Sequence, residues 1–370
     1  HLHIICHDVP YPVDFGGVFD LYYKLKALSK QGIKIHLHCF VHKRPPQKKL
    51  EEFCVEINYY ERKSSVRAFP IKLPYIVACR INEKLFHRLL QDEYPILMEG
   101  IHTTGLLLDA RFQTRKKFVR LHNVEHVYYR NLYSNSNSFL NRIYLRMESK
   151  LLAKHELSIA NAAPFICVSE KDAEYYKHVL NARQVTQLPL FSGWNRTESI
   201  TGKGSFCLYH GNLSVPENEA AATWLIEKVF NSLHLPLIIA GKNPSAKLKR
   251  VVDKYQDCSL IENPKDDSLR HMISSAQINV LPSFNETGIK LKILHALFHG
   301  RHCLVNSTSL TEDHFRKLCE FADGAEEMKK KVRGLFQQEF TDATIARRNE
   351  VLEGIYNNEK NAIRLIQSIW

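Results

Sequence analysis

Short apolar runs alternate with helical stretches along the whole chain, and this alternation constrains the fold more than any other feature. The runs 2–6, 33–40, 96–99, 117–121 and 165–168 read as strands, with helices over 18–30, 76–91, 103–112, 140–160 and 170–180. A second series places strands over 206–209, 237–240, 259–261, 278–281 and 303–305, with helices over 217–231, 245–255, 267–274, 289–299 and 325–336. Strands that are apolar on both faces suit a parallel sheet covered by helices on each side, so the expected class is α/β, doubly wound. The stretch 192–204 holds Gly193, Asn195, Gly202 and Gly204 and reads as a linker. Two halves joined there would face each other across a central cleft.

A chain of 370 residues favours more than one domain. No apolar run approaches the roughly 20 residues of a membrane span, no signal peptide is visible, and nine cysteines are scattered without a CxxC pair. The expectation is a cytoplasmic protein with reduced thiols. A net charge of +12 calls for an anionic partner. Nucleic acid would fit by charge alone, but the basic residues are dispersed and no nucleic-acid module is recognisable, and a nucleotide diphosphate or an acidic membrane surface explains the charge at least as well. Clusters such as His42-Lys43-Arg44 and Arg115-Lys116-Lys117 in the first half fit either a solvated basic face or a lipid-facing one.

The most informative stretch runs from Pro282 to Gly300. The strand 278–281 ends at Pro282, Thr287 can cap the helix after it, and Gly300 is a stop. The helix is apolar on most of its circumference, yet Lys292, His295 and His299 recur on one side. From spacing alone two readings stand: a core helix whose lysines reach solvent, or an anion site at a helix N-terminus beside a strand's carboxyl end. Gly288-Ile289-Lys290-Leu291-Lys292-Ile293-Leu294-His295-Ala296-Leu297 and then Gly300 resembles the nucleotide-sugar helix of GT-B glycosyltransferases, especially glycosyltransferase family 4. The resemblance departs at His295, where the family places a glutamate that holds the nucleotide ribose. The paired glutamate would fall on Thr287, with Glu286 beside it.

Three more segments fit that family. His7 to Gly17 resembles its N-terminal loop, in which Gly16 and Gly17 face the donor phosphates and the acceptor. Arg120-Leu121-His122-Asn123-Val124-Glu125 resembles a segment whose histidine lies near the transferred sugar. Tyr209-His210-Gly211-Asn212 opens the second half beside the expected nucleotide, without the arginine and lysine of many relatives. Lys290 and Lys292 then become the cations for the leaving diphosphate. Glu286 or Asp323 could serve as a catalytic carboxylate. His1, His3, His36 and His38 alternate on strands and could face each other.

The resemblance implies a GT-B fold, with Rossmann-like domains over 1–191 and 205–340 and a tail, 341–370, that crosses back to the first domain. It implies retaining transfer of a sugar from a nucleotide diphosphate-sugar to an acceptor hydroxyl on a glycan or lipid-linked glycan, in polysaccharide biosynthesis, with no cofactor and no metal. His122, Lys292 and Glu286 would be catalytic. Gly16, Gly17, Asn123, Gly211, Asn212, Thr287, Gly288, Lys290 and His295 would bind the substrates. The protein could rest peripherally on the cytoplasmic face of an anionic membrane. The alternatives are an epimerase or hydrolase of nucleotide sugars on the same fold, or a non-catalytic binding subunit.

Overall fold

The computed structural model describes residues 1–13, 16–42, 44–63, 72–135, 138–285 and 288–370. Two parallel sheets organise them. The first holds β1 (Leu2–Cys6), β2 (Ile35–Val41), β3 (Cys54–Glu61), β4 (Ile96–Glu99), β5 (Lys117–Leu121), β6 (Phe165–Cys167) and β7 (Val185–Gln187), in the order β3-β2-β1-β4-β5-β6-β7. The second holds β8 (Cys207–Asn212), β9 (Leu237–Lys242), β10 (Cys258–Glu262), β11 (Ile278–Val280), β12 (His302–Val305) and β13 (Glu320–Phe321), in the order β10-β9-β8-β11-β12-β13. This is the architecture of the GT-B fold.

Every central strand was expected from its apolar run, because a central strand is buried on both faces, and so was the edge strand β10. β1 is buried at every position, and so is β4. Sequence reading missed β3, β7 and β13, which form edges of the two sheets. An edge strand is half-covered and carries polar residues, so its pattern is weak. The helix expected over 76–91 is two short ones, Tyr75–Ala78 and Glu83–Leu89, the second capped by the Asn82 side chain. The stretch 103–112 is 3₁₀ turn instead of α-helix. The segment after His122 forms its own helix, Glu125–Asn135, before the long helix Phe139–Ile159.

The terminal helix Asn358–Ile369 buries Ala362, Leu365 and Ile369 in the core of the first sheet, together with Leu21, Leu25 and Leu28 of the helix Gly16–Lys30. His1, just before β1, and His3, His36 and His38 of β1 and β2 do face each other. His3 Nδ1 lies 2.9 Å from His38 Nε2, His3 Nε2 lies 2.9 Å from Asp92, and His38 Nδ1 lies 3.0 Å from the Tyr60 hydroxyl. His1 and His36 are joined at 2.9 Å. Each ring nitrogen in the buried part of this ladder thus meets a protein partner, which fits a structural role. All nine cysteines are free. No helix among the described residues is long and apolar enough to cross a membrane.

Candidate functional site

Each sheet reverses its strand order once, between β1 and β4 in the first and between β8 and β11 in the second. Helices leave such a point on opposite faces, so a crevice opens at the carboxyl ends of its strands. Several of the residues singled out in the sequence lie at these two crevices, His122 and Asn123 at the first and Gly211, Asn212, Lys290 and Lys292 at the second.

In the first, His122 follows β5 with its side chain 15% exposed, and its Nε2 lies 3.3 Å from Glu99 Oε2 at the end of β4. Glu99 also holds the Lys24 ammonium at 2.7 Å, and Lys24 is 3.1 Å from Asp20 on the same helix. Asp20 receives Arg120 through Nε at 3.2 Å and Nη2 at 3.1 Å, and accepts the Phe191 N–H at 2.8 Å. Arg120 also donates to the carbonyls of Leu188 and Pro189. Asp20, Lys24, Glu99 and Arg120 are all buried, two anions against two cations. Burial alone would raise the Asp20 carboxyl, but Arg120 and Lys24 outweigh it and hold it far below the carboxylate range. Glu99 is lowered in the same way, by Lys24 and His122 against its burial.

Gly16 and Gly17 open the helix that carries Asp20 and Lys24. Asp20, Glu99 and His122 bring ligand atoms close enough to share a metal ion. Lys24 already bridges the two carboxylates, so a metal would have to displace its ammonium.

In the second crevice the helix runs from Leu291 to His299, with Lys290 at its N-cap, whose own side chain makes no capping hydrogen bond. Glu286 and Thr287 lie outside the described residues. Lys292 Nζ is 3.2 Å from the Tyr209 hydroxyl and 3.2 Å from Asn218 Oδ1, and 4.8 Å from the Tyr209 ring centre. Lys292 forms no ion pair among the described residues. Burial pushes its ammonium down to about 7, and that of Lys290, which donates to the Gly288 carbonyl, to about 8. Gly211 and Asn212 end β8. The Asn212 side chain accepts from Ser214, and its carbonyl accepts from Asn218, so it shapes the turn that carries Asn218 to Lys292.

The His295 ring stacks on Trp194 of the linker, centres 4.8 Å apart, and meets His210 and His299 edge-on. Trp194 in turn packs on Phe19 of the first domain. Asp323 is engaged with Ser307 through both the backbone N–H and the hydroxyl.

The two crevices meet at Gly288. Its φ of +66° suits glycine, and a side chain there would strike the Asn123 amide oxygen and the His122 carbonyl. Asn123 also hydrogen-bonds the buried Glu125 carboxyl, which burial and Glu156 push up to about 8. The Gly288 N–H bonds Asp172 of the first domain, whose carboxyl burial pushes up to about 6 while Lys290 pulls the other way. Glu312 accepts the Glu170 N–H at 3.2 Å, and Glu170 accepts the Asp313 N–H at 3.3 Å. Residues predicted from distant segments are therefore neighbours here.

Residues 204–338 match the family model described as Glycosyl transferases group 1. The second domain thus resembles that of the group 1 glycosyltransferases, and the chain carries it in a GT-B fold. A Klebsiella pneumoniae protein described as an uncharacterized 44.6 kDa protein in a cps region is 26% identical over 310 residues, covering 80% of this chain and 79% of that protein. Among solved structures, WaaG, a glycosyltransferase involved in lipopolysaccharide biosynthesis, superposes with a TM-score of 0.64 at 12% identity, covering 98% of each chain. Anabaena HepE, in complex with UDP and glucose, gives 0.64 at 9% identity, covering 100% of this chain and 98% of that one. A Staphylococcus aureus TarM mutant, bound to UDP among other ligands, gives 0.58 at 11% identity over 80% of this chain, which spans 59% of the TarM length.

Within this glycosyltransferase fold, sequence reasoning missed Asp20, Lys24, Glu99 and Asp172. Signals existed for three of them. Asp20 and Lys24 stand four apart in a helix that is otherwise apolar on its inner face, and Glu99 ends a wholly apolar strand. Asp172 gave no signal, because its partners come from the other domain.

Proposed function

We propose that the protein is a retaining glycosyltransferase that moves a sugar from a nucleoside diphosphate donor to an acceptor hydroxyl. The observation that carries this reading is the meeting of Gly288 with Asn123 and His122, which sets the expected donor helix of one domain against the strand end of the other. The donor diphosphate would lie at the N-terminus of the helix Leu291–His299, with Lys290 and Lys292 as its cations. Fixed charge at a departing diphosphate is typically the largest catalytic term, and two lysines can supply it without a metal. Glu99 keeps the His122 proton on Nε2, so Nδ1 is the acceptor offered to a sugar hydroxyl. The cps-region relative and WaaG support an acceptor in cell-surface polysaccharide synthesis.

Peripheral membrane attachment belongs to the same proposal, on a surface the sequence did not single out. Phe139 and Leu140 are each 76% exposed, and Ile143, Tyr144 and Met147 continue their face, with Arg142, Arg146 and Lys150 alongside. The terminal helix, by contrast, spends its apolar face on the first domain. An apolar stripe flanked by cations fits an anionic bilayer.

The test is to incubate the full chain with nucleotide sugars and follow the nucleoside diphosphate. Fast release that requires a glycan or lipid-linked acceptor is expected. A changed sugar with no release would establish an epimerase, and protection from melting with no turnover a binder.

A further inference from the structure

The first crevice holds a second cluster that this chemistry does not use. His7 follows β1 and His102 follows β4, on either side of the point where the strand order reverses, and their rings stack with centres 5.0 Å apart. Arg80 lies against them, with Nε donating to the His7 carbonyl at 3.0 Å and Nη1 to the Ile76 carbonyl at 2.6 Å. Arg62, just beyond the end of β3, points its Nη2 at the Cys79 sulfur, 3.7 Å away. Arg80 Nη1 is 3.4 Å from the same sulfur, so the two nitrogens lie within about 7 Å of each other.

Neither guanidinium forms an ion pair among the described residues, and Arg80 is only 7% exposed. Arg62 Nε and His102 Nδ1 are buried without a hydrogen-bond partner among the described residues. A carboxylate faces the cluster. It belongs to Asp8, which burial raises while Arg44, Arg80 and Arg62 pull it down, and which spends one oxygen on the Val9 N–H. His122 contributes to the potential at both His7 and His102, which puts the cluster beside the transfer site. Two arginines and a spare donor on Arg62, set against Asp8 and a Glu125 carboxyl that burial pushes up to about 8, make a site short of negative charge. The contrast with the nearby Asp20–Lys24–Glu99–Arg120 group, where every charge is matched, is sharp.

We infer that Arg62 and Arg80, with His102, form an oxyanion subsite for the acceptor, which therefore carries a phosphate or carboxylate group. A guanidinium presents paired N–H donors that match two oxygens of such a group. Calling the ligand an acceptor rests on the glycosyltransferase reading; the anion site itself does not. Holding the oxyanion there would fix the acceptor's orientation next to His122 while its hydroxyl attacks.

The test uses the full chain saturated with UDP, so that the donor site is filled. Inorganic phosphate and glucuronate are then titrated in separately by calorimetry at constant ionic strength. At least one is expected to bind, and Arg62→Gln should weaken it about tenfold to a hundredfold, the range for a charge-assisted hydrogen bond. Arg62→Lys should restore part of the loss. Arg80→Lys, which keeps the charge but loses the fork, should also weaken binding. An unchanged UDP affinity in the Arg62 variants shows that they are folded. Phosphate binding alone assigns the group to a phosphate ester, and glucuronate binding alone to a carboxylate. If neither anion binds the UDP-loaded protein, or binding survives both Arg62→Gln and Arg80→Lys, the subsite does not exist. If UDP fails to bind while Arg62-dependent anion binding persists, the transferase reading falls and the anion site stands.

Discussion

The two crevices handle charge in opposite ways. Around His122, Asp20 and Glu99 are matched by Lys24 and Arg120, all buried and all hydrogen-bonded or paired. Around Lys292 the partners are a tyrosine hydroxyl and an asparagine, and burial has already drawn the ammonium down to about 7. A matched network has no need of a ligand. It is costly to break and serves to hold one histidine still. A buried lysine hydrogen-bonded only by neutral groups, with the Glu217 carboxylate acting on it from further off, gains most when an anion arrives at the helix N-terminus. The network around His122 is thus built for position and the helix of Lys292 for binding, and each can be tested by removing one charge.

The largest effect should come from Asp20→Asn, which strands the Arg120 and Lys24 charges in the interior. A loss of about 3–5 kcal/mol in denaturant-induced unfolding is expected. Because the folded Asp20 carboxyl sits below its ordinary value of about 3.9, its stabilisation should be present above that pH and fade as the pH falls below it. Unfolding of the variant at the parental denaturant midpoint would show that the network is not needed. Next, His122→Ala should lower turnover by about one to three orders of magnitude with nucleoside diphosphate affinity nearly unchanged. A parallel loss of affinity would show that the two crevices are not separable.

Lys292→Ala should cost about 1.5–3 kcal/mol in nucleoside diphosphate binding, measured by calorimetry. The same experiment has a pH signature. Burial lowers Lys292 to about 7 and Lys290 to about 8, and a bound diphosphate raises both, so binding takes up protons. Affinity should therefore fall as the pH rises through these two values, and the slope should flatten in Lys292→Ala. A flat profile in the parent protein would mean that these lysines do not meet the diphosphate. The smallest effect concerns His295, whose ring is occupied by Trp194. UDP and its 2′-deoxy analogue should bind within about threefold of each other, or ~0.6 kcal/mol. Strong discrimination would require another residue to hold the ribose.

The alternation of apolar runs and helices determined the class of the fold, because a strand buried on both faces must be apolar along its length. The same logic could not reveal β3, β7 and β13, which border one neighbour each. Local motifs likewise determined where His122, Gly288 and Lys292 lie along the chain, since a polar residue at the end of an apolar strand, or a lysine in a buried helix, is legible by itself. The tertiary structure decided what those residues touch. It joined Glu99 to His122 across neighbouring strands, brought Asp172 to Gly288 across the cleft, and set His295 against a linker tryptophan. It also showed which charges are matched, and that cannot be read from a list of residues. The energy of a buried charge depends on partners a few ångströms away that stand scores of positions apart in the sequence.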